Sequence, residues 1–412
     1  MERLLGCSCL VIVIAMLKTK SVLVLQGMVL YIAYLAVGFG RIRNSFDRLP
    51  VDPGYEFFED TYRHGISALV KTEGGYLDIP RRVFAEVVTL FPIRQTGNVG
   101  SMIWLLMASA AAVFVAAMIK RIHPSKVLAI ACGACVVLAP SASESQIGNQ
   151  SVVKWFLILV AIVVVSLPKE HQLSARTTAF LVLLSSVSNP MTFLAAVPLG
   201  LALLQRELKL KDSRTILIVG AFVVGFAIQI VSWRTTGVGV QKYETRTYAL
   251  WPGAGAFWYY NFIIPPLTCA AFVVRAMLPN WTWCPKPSRF ILNLSLTGLV
   301  LFTATYALSG IGDRYFVVPQ ILAFIAVALY TVQNLDGTSF FVKTALVASM
   351  VLFCGAAVKW FDAGWFLSDG PQWSQQIDAA ITQCEANSTQ IIKLEQAFGT
   401  TDLPCSAILS RS

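Results

Sequence analysis

Glu56, Asp60 and His64 stand four residues apart in one polar stretch of the chain, with Glu59 and Arg63 beside them. On a helix that spacing lines side chains along a single face. A carboxylate held there can take a proton from a hydroxyl as a general base. Cations close by supply the complementary service, stabilising an anion as it departs. Three cations fit that second role by position. Arg81 lies in the same stretch, and Lys154 stands three residues into an apolar run, beside Trp155. Arg314 follows Asp313 in Gly-Ile-Gly-Asp-Arg-Tyr, where its planar fork suits a phosphate. Segment 233–256 adds Arg246 and Trp251 among other basic and aromatic residues, either an aromatic belt or a platform for a sugar ring. Each group also has a bland reading: a solvated face of i, i+4 pairs for the acids, snorkelling for Lys154 and interface anchoring for Arg314.

The element that must position the acids is segment 40–99, which carries eight acids and eight bases. Loops of that length without secondary structure are uncommon in compact proteins. Two amphipathic helices fit it. In the first, Phe58, Tyr62, Ile66, Leu69 and Val70 form the apolar stripe. In the second, Asp78 caps a helix opened by Pro80, with Ile79, Val83, Val87 and Leu90 as its stripe and Arg82 and Glu86 on its polar side. Gly74-Gly75 separates them. Such helices would lie flat on a membrane leaflet, apolar side down.

A membrane is required by composition. The 412 residues are 56% hydrophobic and 13% charged, whereas soluble chains carry roughly 25% charged residues. The net charge of +10 does not point to nucleic acid, because Lys and Arg come in short clusters between apolar runs. The fold class expected is an all-α polytopic membrane protein with about 11 transmembrane helices. Spans are predicted at 21–39, 100–119, 125–140, 152–168, 177–188, 191–205, 215–232, 257–278, 290–309, 315–333 and 342–361. Asn189-Pro190 separates two short ones that form two crossings or a broken hairpin. Leu4–Leu17 is marginal for a further crossing. With the start of the first span in the cytoplasm, the short basic loops all fall inside. Segments 40–99, 233–256 and 362–412 then fall outside together.

Two cysteines, Cys384 and Cys405, lie in the polar tail after the last span. On the oxidising side of a membrane they are expected to form a disulfide. Cys132 and Cys135 form a C-x-x-C with no second pair or His nearby, which argues against a metal. No phosphate-cradling glycine loop, nucleophile elbow or H-E-x-x-H is present.

With these residues placed, the chain resembles the GT-C superfamily of membrane glycosyltransferases, which use polyprenyl-phosphate sugars. The resemblance covers the whole chain in layout: a first span, a long outer loop with amphipathic helices and an acid, then a many-helix bundle. Local matches are Phe57-Phe58-Glu59-Asp60, Gly74-Gly75-Tyr76-Leu77 and Pro80-Arg81 in the loop, and Asp313-Arg314-Tyr315 with Pro319. The tail from Gly370-Pro371-x-Trp373 through Cys384 to Leu403-Pro404-Cys405 is similar to tails of bacterial members. Many members show adjacent acids or a D-x-D. Here the pair is Glu59-Asp60, which leaves open which carboxylate is the base and whether a divalent metal is used.

What the resemblance implies is a glycosyltransferase that moves a sugar from a polyprenyl-phosphate donor to a glycan, lipid or protein acceptor outside a bacterial plasma membrane. Asp60 would be the general base, with Glu59 its alternative. Arg314, Arg81 and Lys154 would bind the donor phosphate, and His64, Arg63, Tyr76, Arg246 and Trp251 would contact substrate. The polyprenyl-phosphate sugar is the donor substrate, and a divalent metal stays open as the one cofactor. The domains expected are a membrane domain over 1–361, with its catalytic loop at 40–99, and a small outer tail over 362–412. A lipid-linked oligosaccharide polymerase or ligase is the rival reading. A transporter or flippase fits less well, because the acids cluster in the loop and not midway through spans.

Overall fold

The computed structural model describes residues 24–43, 46–49, 54–72, 76–139, 153–204, 209, 211–236, 263–278, 284–309, 316–334, 338–359, 371–395 and 400–412, with backbone alone for 54–57, 236, 306–309 and 359. Eleven apolar helices run through these residues, each over one of the predicted spans. They are α1 (Val24–Ile42), α4 (Thr96–Ile122), α5 (Lys126–Leu138), α6 (Val153–Ser166), α7 (Ala175–Ser186), α8 (Ala196–Leu204), α9 (Ser213–Thr236), α10 (Ile264–Met277), α11 (Arg289–Ser309), α12 (Val317–Asn334) and α13 (Phe340–Lys359). Leu4–Leu17 lies outside the described residues.

Local chemistry sets the boundaries. Ser125 caps α5 by accepting from the Leu128 N–H, and Ser174 caps α7 by accepting from Thr177. Lys120 and Arg121 close α4 at its negative end. Apolar along most of their length, α6 and α12 form the centre of the bundle, with 12 of 14 and 14 of 18 residues buried. Trp104, Phe156, Phe290 and Ile321 pack in the same core.

The hairpin at Asn189-Pro190 is short. Twelve residues of α7 rise about 18 Å, less than the ~30 Å of a hydrocarbon core. Asn189 caps a 3₁₀ turn (Pro190–Ala195) that leads into α8. At the tip Ser185 and Thr192 share a hydroxyl hydrogen bond of 2.8 Å, so the polar groups of the break satisfy one another.

Between α1 and α4 the loop holds α2 (Gly54–His64), a 3₁₀ turn (Gly65–Val70), α3 (Ile79–Val88) and a second 3₁₀ turn (Ile93–Gln95). The stripe expected to run from Phe58 to Val70 is cut at Gly65, whose φ of 57° only glycine adopts at no cost. Phe58 is therefore buried while Ile66 and Val70 are 78% and 76% exposed. In α3 the expected polar side is the buried one. Arg81, Arg82, Ala85 and Val88 face inward, and Val83, Val87 and Leu90 face out.

The tail contains α14 (Trp373–Ala386), strands β1 (Ile391–Glu395) and β2 (Thr400–Pro404), and α15 (Cys405–Leu409). The strands pair antiparallel, Ile392 opposite Leu403 and Leu394 opposite Thr401. A hairpin thus follows the helix where the sequence reads partly helical to Gln396. Loop and tail build a second core together, in which Leu49, Phe58, Val88 and Ile93 meet Trp373, Ile377, Ile392, Leu403 and Ile408. Cys384 and Cys405 are joined by a disulfide inside it. Asp47 fastens the two pieces. Its carboxylate accepts from the Ser374 backbone N–H at 3.0 Å and from the Ser374 hydroxyl, supplying the N-terminus of α14 with a cap from the other end of the chain.

Candidate active site

Two loop helices and one span converge on a cluster of charge. Asp60 leaves α2 toward α3 and accepts from Lys71 Nζ and from Arg82 Nη1, each at 2.8 Å. Arg82 is 1% exposed and Asp60 25%, so this carboxylate links a buried cation to the open side of the site. Burial pushes the Asp60 carboxyl up, but hydrogen bonds from Lys71 and Arg82 outweigh it and hold the group below the ordinary aspartate value. Asp60 is therefore ionised whenever the two cations are in place.

Below this pair the chain turns through Tyr76, Leu77 and Asp78, and the turn is pinned to the bundle at three points. The Tyr76 hydroxyl accepts from Lys154 Nζ at 2.9 Å, with the ammonium 5.4 Å from the ring centroid. Gln229 of α9 accepts from the Leu77 N–H at 3.0 Å and donates to the Leu77 carbonyl at 2.9 Å. The Ile79 N–H donates to the Val187 carbonyl at the end of α7. Asp78 lies between these clamps. Its Oδ1 accepts from the Arg81 N–H, and the side chain is buried. Burial raises its carboxyl above the usual range, against the pull of Lys154, Arg81 and Arg82.

The residues expected in the site separate into four sets. Asp60, Arg81, Lys154 and Tyr76 are gathered in this cluster. Glu59 and Arg63, although adjacent to Asp60, turn the other way. They pair with each other at 2.8 Å and bond the backbone of Asp402 in β2, Arg63 donating to its carbonyl and Glu59 accepting from its N–H. His64 is exposed at the end of α2. Arg314, Arg246 and Trp251 lie outside the described residues. Lys71, Arg82, Asp78 and Gln229 also belong to the arrangement. The acids and bases among them are visible in the sequence, but their partners are not. Among the described residues no three His, Cys, Asp or Glu side chains gather as metal ligands.

Away from this cluster, an apolar crevice opens between α10, α12 and α13, lined by Ile264, Thr268, Phe324, Met350 and Phe353. Its lining suits a hydrocarbon chain and offers no cation to a phosphate.

No protein-family model matches the sequence, and no curated protein matches it. Solved structures do match. One is the cryo-EM structure of the arabinofuranosyltransferase AftD from mycobacteria, with a TM-score of 0.52 and 15% identity over 93% of this chain and 32% of that one. Another is the crystal structure of an Archaeoglobus fulgidus oligosaccharyltransferase, at a TM-score of 0.47 and 15% identity over 88% of this chain and 56% of that one. The chain spans about a third of the length of the first and just over half of the second. The fold is the one seen in the mycobacterial arabinofuranosyltransferase structure. Within it the chain is a polytopic helical membrane protein whose first loop and last segment share one core.

Proposed function

We propose that this chain is an integral-membrane glycosyltransferase that moves a sugar from a polyprenyl-phosphate donor to a glycan, lipid or protein acceptor on the extracytoplasmic side, with Asp60 as general base. The observation that carries the reading is the Asp60–Lys71–Arg82 cluster, pinned to the end of a bundle with the arabinofuranosyltransferase fold. Asp60 takes the acceptor's hydroxyl proton as the acceptor oxygen bonds the anomeric carbon. The bond from that carbon to the phosphate breaks, and polyprenyl phosphate leaves with its electrons. Arg82, Arg81 and Lys154 supply positive charge there, and Arg314 is a further phosphate ligand by its sequence context. Tyr76, Arg63, His64, Arg246 and Trp251 remain proposed substrate contacts. A pentose donor has the support that the similar mycobacterial protein is an arabinofuranosyltransferase.

The outward apolar stripe of α3 supports the interfacial placement, since Val83, Val87 and Leu90 are presented away from the protein and suit a leaflet surface. No second reading is favoured by a particular contact. A polymerase or ligase would depend on loop arginines more than on Asp60.

Topology and chemistry can be tested together. With Val70→Cys, Leu210→Cys and Glu385→Cys in otherwise labelled-blocked protein, an impermeant thiol reagent applied to intact cells is expected to label positions 70 and 385 and not 210. Purified protein in nanodiscs is then expected to transfer sugar from one of the farnesyl-phosphoryl sugars mannose, glucose, galactose or arabinofuranose. Labelling of position 70 only after lysis would remove the extracytoplasmic reading.

A further inference from the structure

Asp78 is positioned more firmly than a helix cap requires. Oδ1 does the capping, accepting from the Arg81 N–H at 3.3 Å. Oδ2 is fully buried and has no hydrogen-bond partner among the described residues, although the carboxylate is 1% exposed. An enclosed carboxylate oxygen without a donor is costly, and native structures retain few of them. Around it the fold fixes the neighbouring residues. Gln229 bonds both the N–H and the carbonyl of Leu77 and also donates to the Ser186 carbonyl at 2.9 Å, while Ile79 is bonded to Val187. The charges facing it are Lys154, Arg81 and Arg82. Of these Lys154 is the half-buried one, and it holds the half-buried Tyr76.

We propose that Asp78 Oδ2 binds a hydroxyl group of a sugar, reached past the Lys154–Tyr76 pair, and so makes Asp78 a substrate-binding and specificity-determining residue. The inference rests on the glycosyl-transfer reading and adds to it a second carboxylate with a separate task. Asp60, tied to two cations, handles the proton. Asp78, already committed to the α3 cap through one oxygen, offers its other oxygen as a fixed acceptor at the floor of the site. The class of ligand follows from the chemistry. Oδ2 needs a donor, Lys154, Arg81 and Arg82 already turn positive charge toward the carboxylate, and an alcohol O–H satisfies it without bringing further charge. The hydroxyl belongs to the donor sugar or to the acceptor, and the test separates them.

Full-length protein in nanodiscs is assayed with the farnesyl-phosphoryl sugar that it uses among mannose, glucose, galactose and arabinofuranose, and with the mono-deoxy forms of that sugar. Asp78→Asn and Asp78→Ser both keep a capping side chain. Neither keeps the carboxylate, because an Asn that caps through its oxygen presents an NH₂ in place of Oδ2. Both variants are expected to melt at or above the wild-type temperature, since an enclosed charge is gone, while kcat/KM falls about 10- to 100-fold, the worth of a hydrogen bond to a charged group. One deoxy donor should lower the wild-type rate by a similar factor and leave the variants no worse. If instead a deoxy octyl-glycoside acceptor behaves that way, the hydroxyl is the acceptor's and the proposal stands. Unchanged kcat/KM in both variants, or losses that add with every deoxy compound on either side, would leave Asp78 as a cap alone and overturn it. So would a melting temperature well below wild type in both, which marks a structural ion partner. Wild-type protein that transfers none of the four sugars overturns the glycosyl-transfer reading and this inference with it.

Discussion

Glu59 and Asp60 are neighbours of the same charge on the same helix, yet they belong to different regions of the molecule. Glu59 faces the tail, pairs with Arg63 one turn along α2 and accepts from the backbone of Asp402. Both members of that pair are about a quarter to a third exposed. Asp60 faces α3 and bonds two cations, 11 and 22 residues away, one of them enclosed. The difference is one of solvent and reach. An exposed i, i+4 pair contributes about 0.3–0.5 kcal/mol and fastens a surface. A carboxylate that compensates an enclosed guanidinium is held in place by the cost of letting go, which is how a fold keeps a reactive group aimed.

That contrast can be broken most decisively by chemistry. Asp60→Asn keeps the size and removes the basicity, and transfer is expected to fall by about two to four orders of magnitude with expression unchanged. If Asp60→Asn stays active while Glu59→Gln is dead, the base is on the tail-facing side of α2. The next largest effect is on stability. Trp373 is buried in the shared core and donates from Nε1 to the Ile93 carbonyl at 2.7 Å. Trp373→Ala should cost about 3–5 kcal/mol, read as a lowered melting temperature in detergent. It should also release the Arg63–Asp402 side of α2, so protease cleavage within 391–404 should rise. Replacing both Cys384 and Cys405 by Ser opens a staple of sequence separation 21. The expected loss is roughly 3 kcal/mol in the chain-entropy account, and non-reducing mass mapping establishes the bridge in the wild type. Smallest is Glu59→Gln, for which the melting temperature should move by no more than about 1 kcal/mol of stability allows and transfer should hold within about threefold. A larger loss of transfer would show that the two faces of α2 are not independent.

The spans were legible because burial in lipid writes itself into hydropathy: all eleven apolar helices fall where the runs do. The loop was legible in part. Its two helices and the Asp78 cap follow from local residue types, but two features do not. Gly65 ends α2 by taking a left-handed φ, and a lone glycine in a helical pattern does not announce that choice. In α3 the inward face is decided by Asp60, 22 residues before Arg82, a pairing that periodicity cannot contain, so the charged side is buried and the valines are exposed. The clamp of Gln229 on Leu77 spans 152 residues and has no sequence signal. The β1–β2 hairpin had one, since Ile392, Leu394, Thr401 and Leu403 alternate with exposed positions, a period of two within a tail read by its helical stretches.

The shared core of loop and tail has a consequence in time. Ile93 and Trp373 bond across 280 residues of chain, and a ribosome adding roughly 5–20 residues per second separates their appearance by about 15–60 s. Throughout that interval the loop bearing Asp60 is already made, and the half of its core that Trp373, Ile377 and Leu403 provide is not. Membrane insertion of the ten later apolar helices comes between them. The core beneath the loop can therefore close only as the final event of assembly, so a nascent chain in which every span is correctly inserted would still lack the tail's half of it.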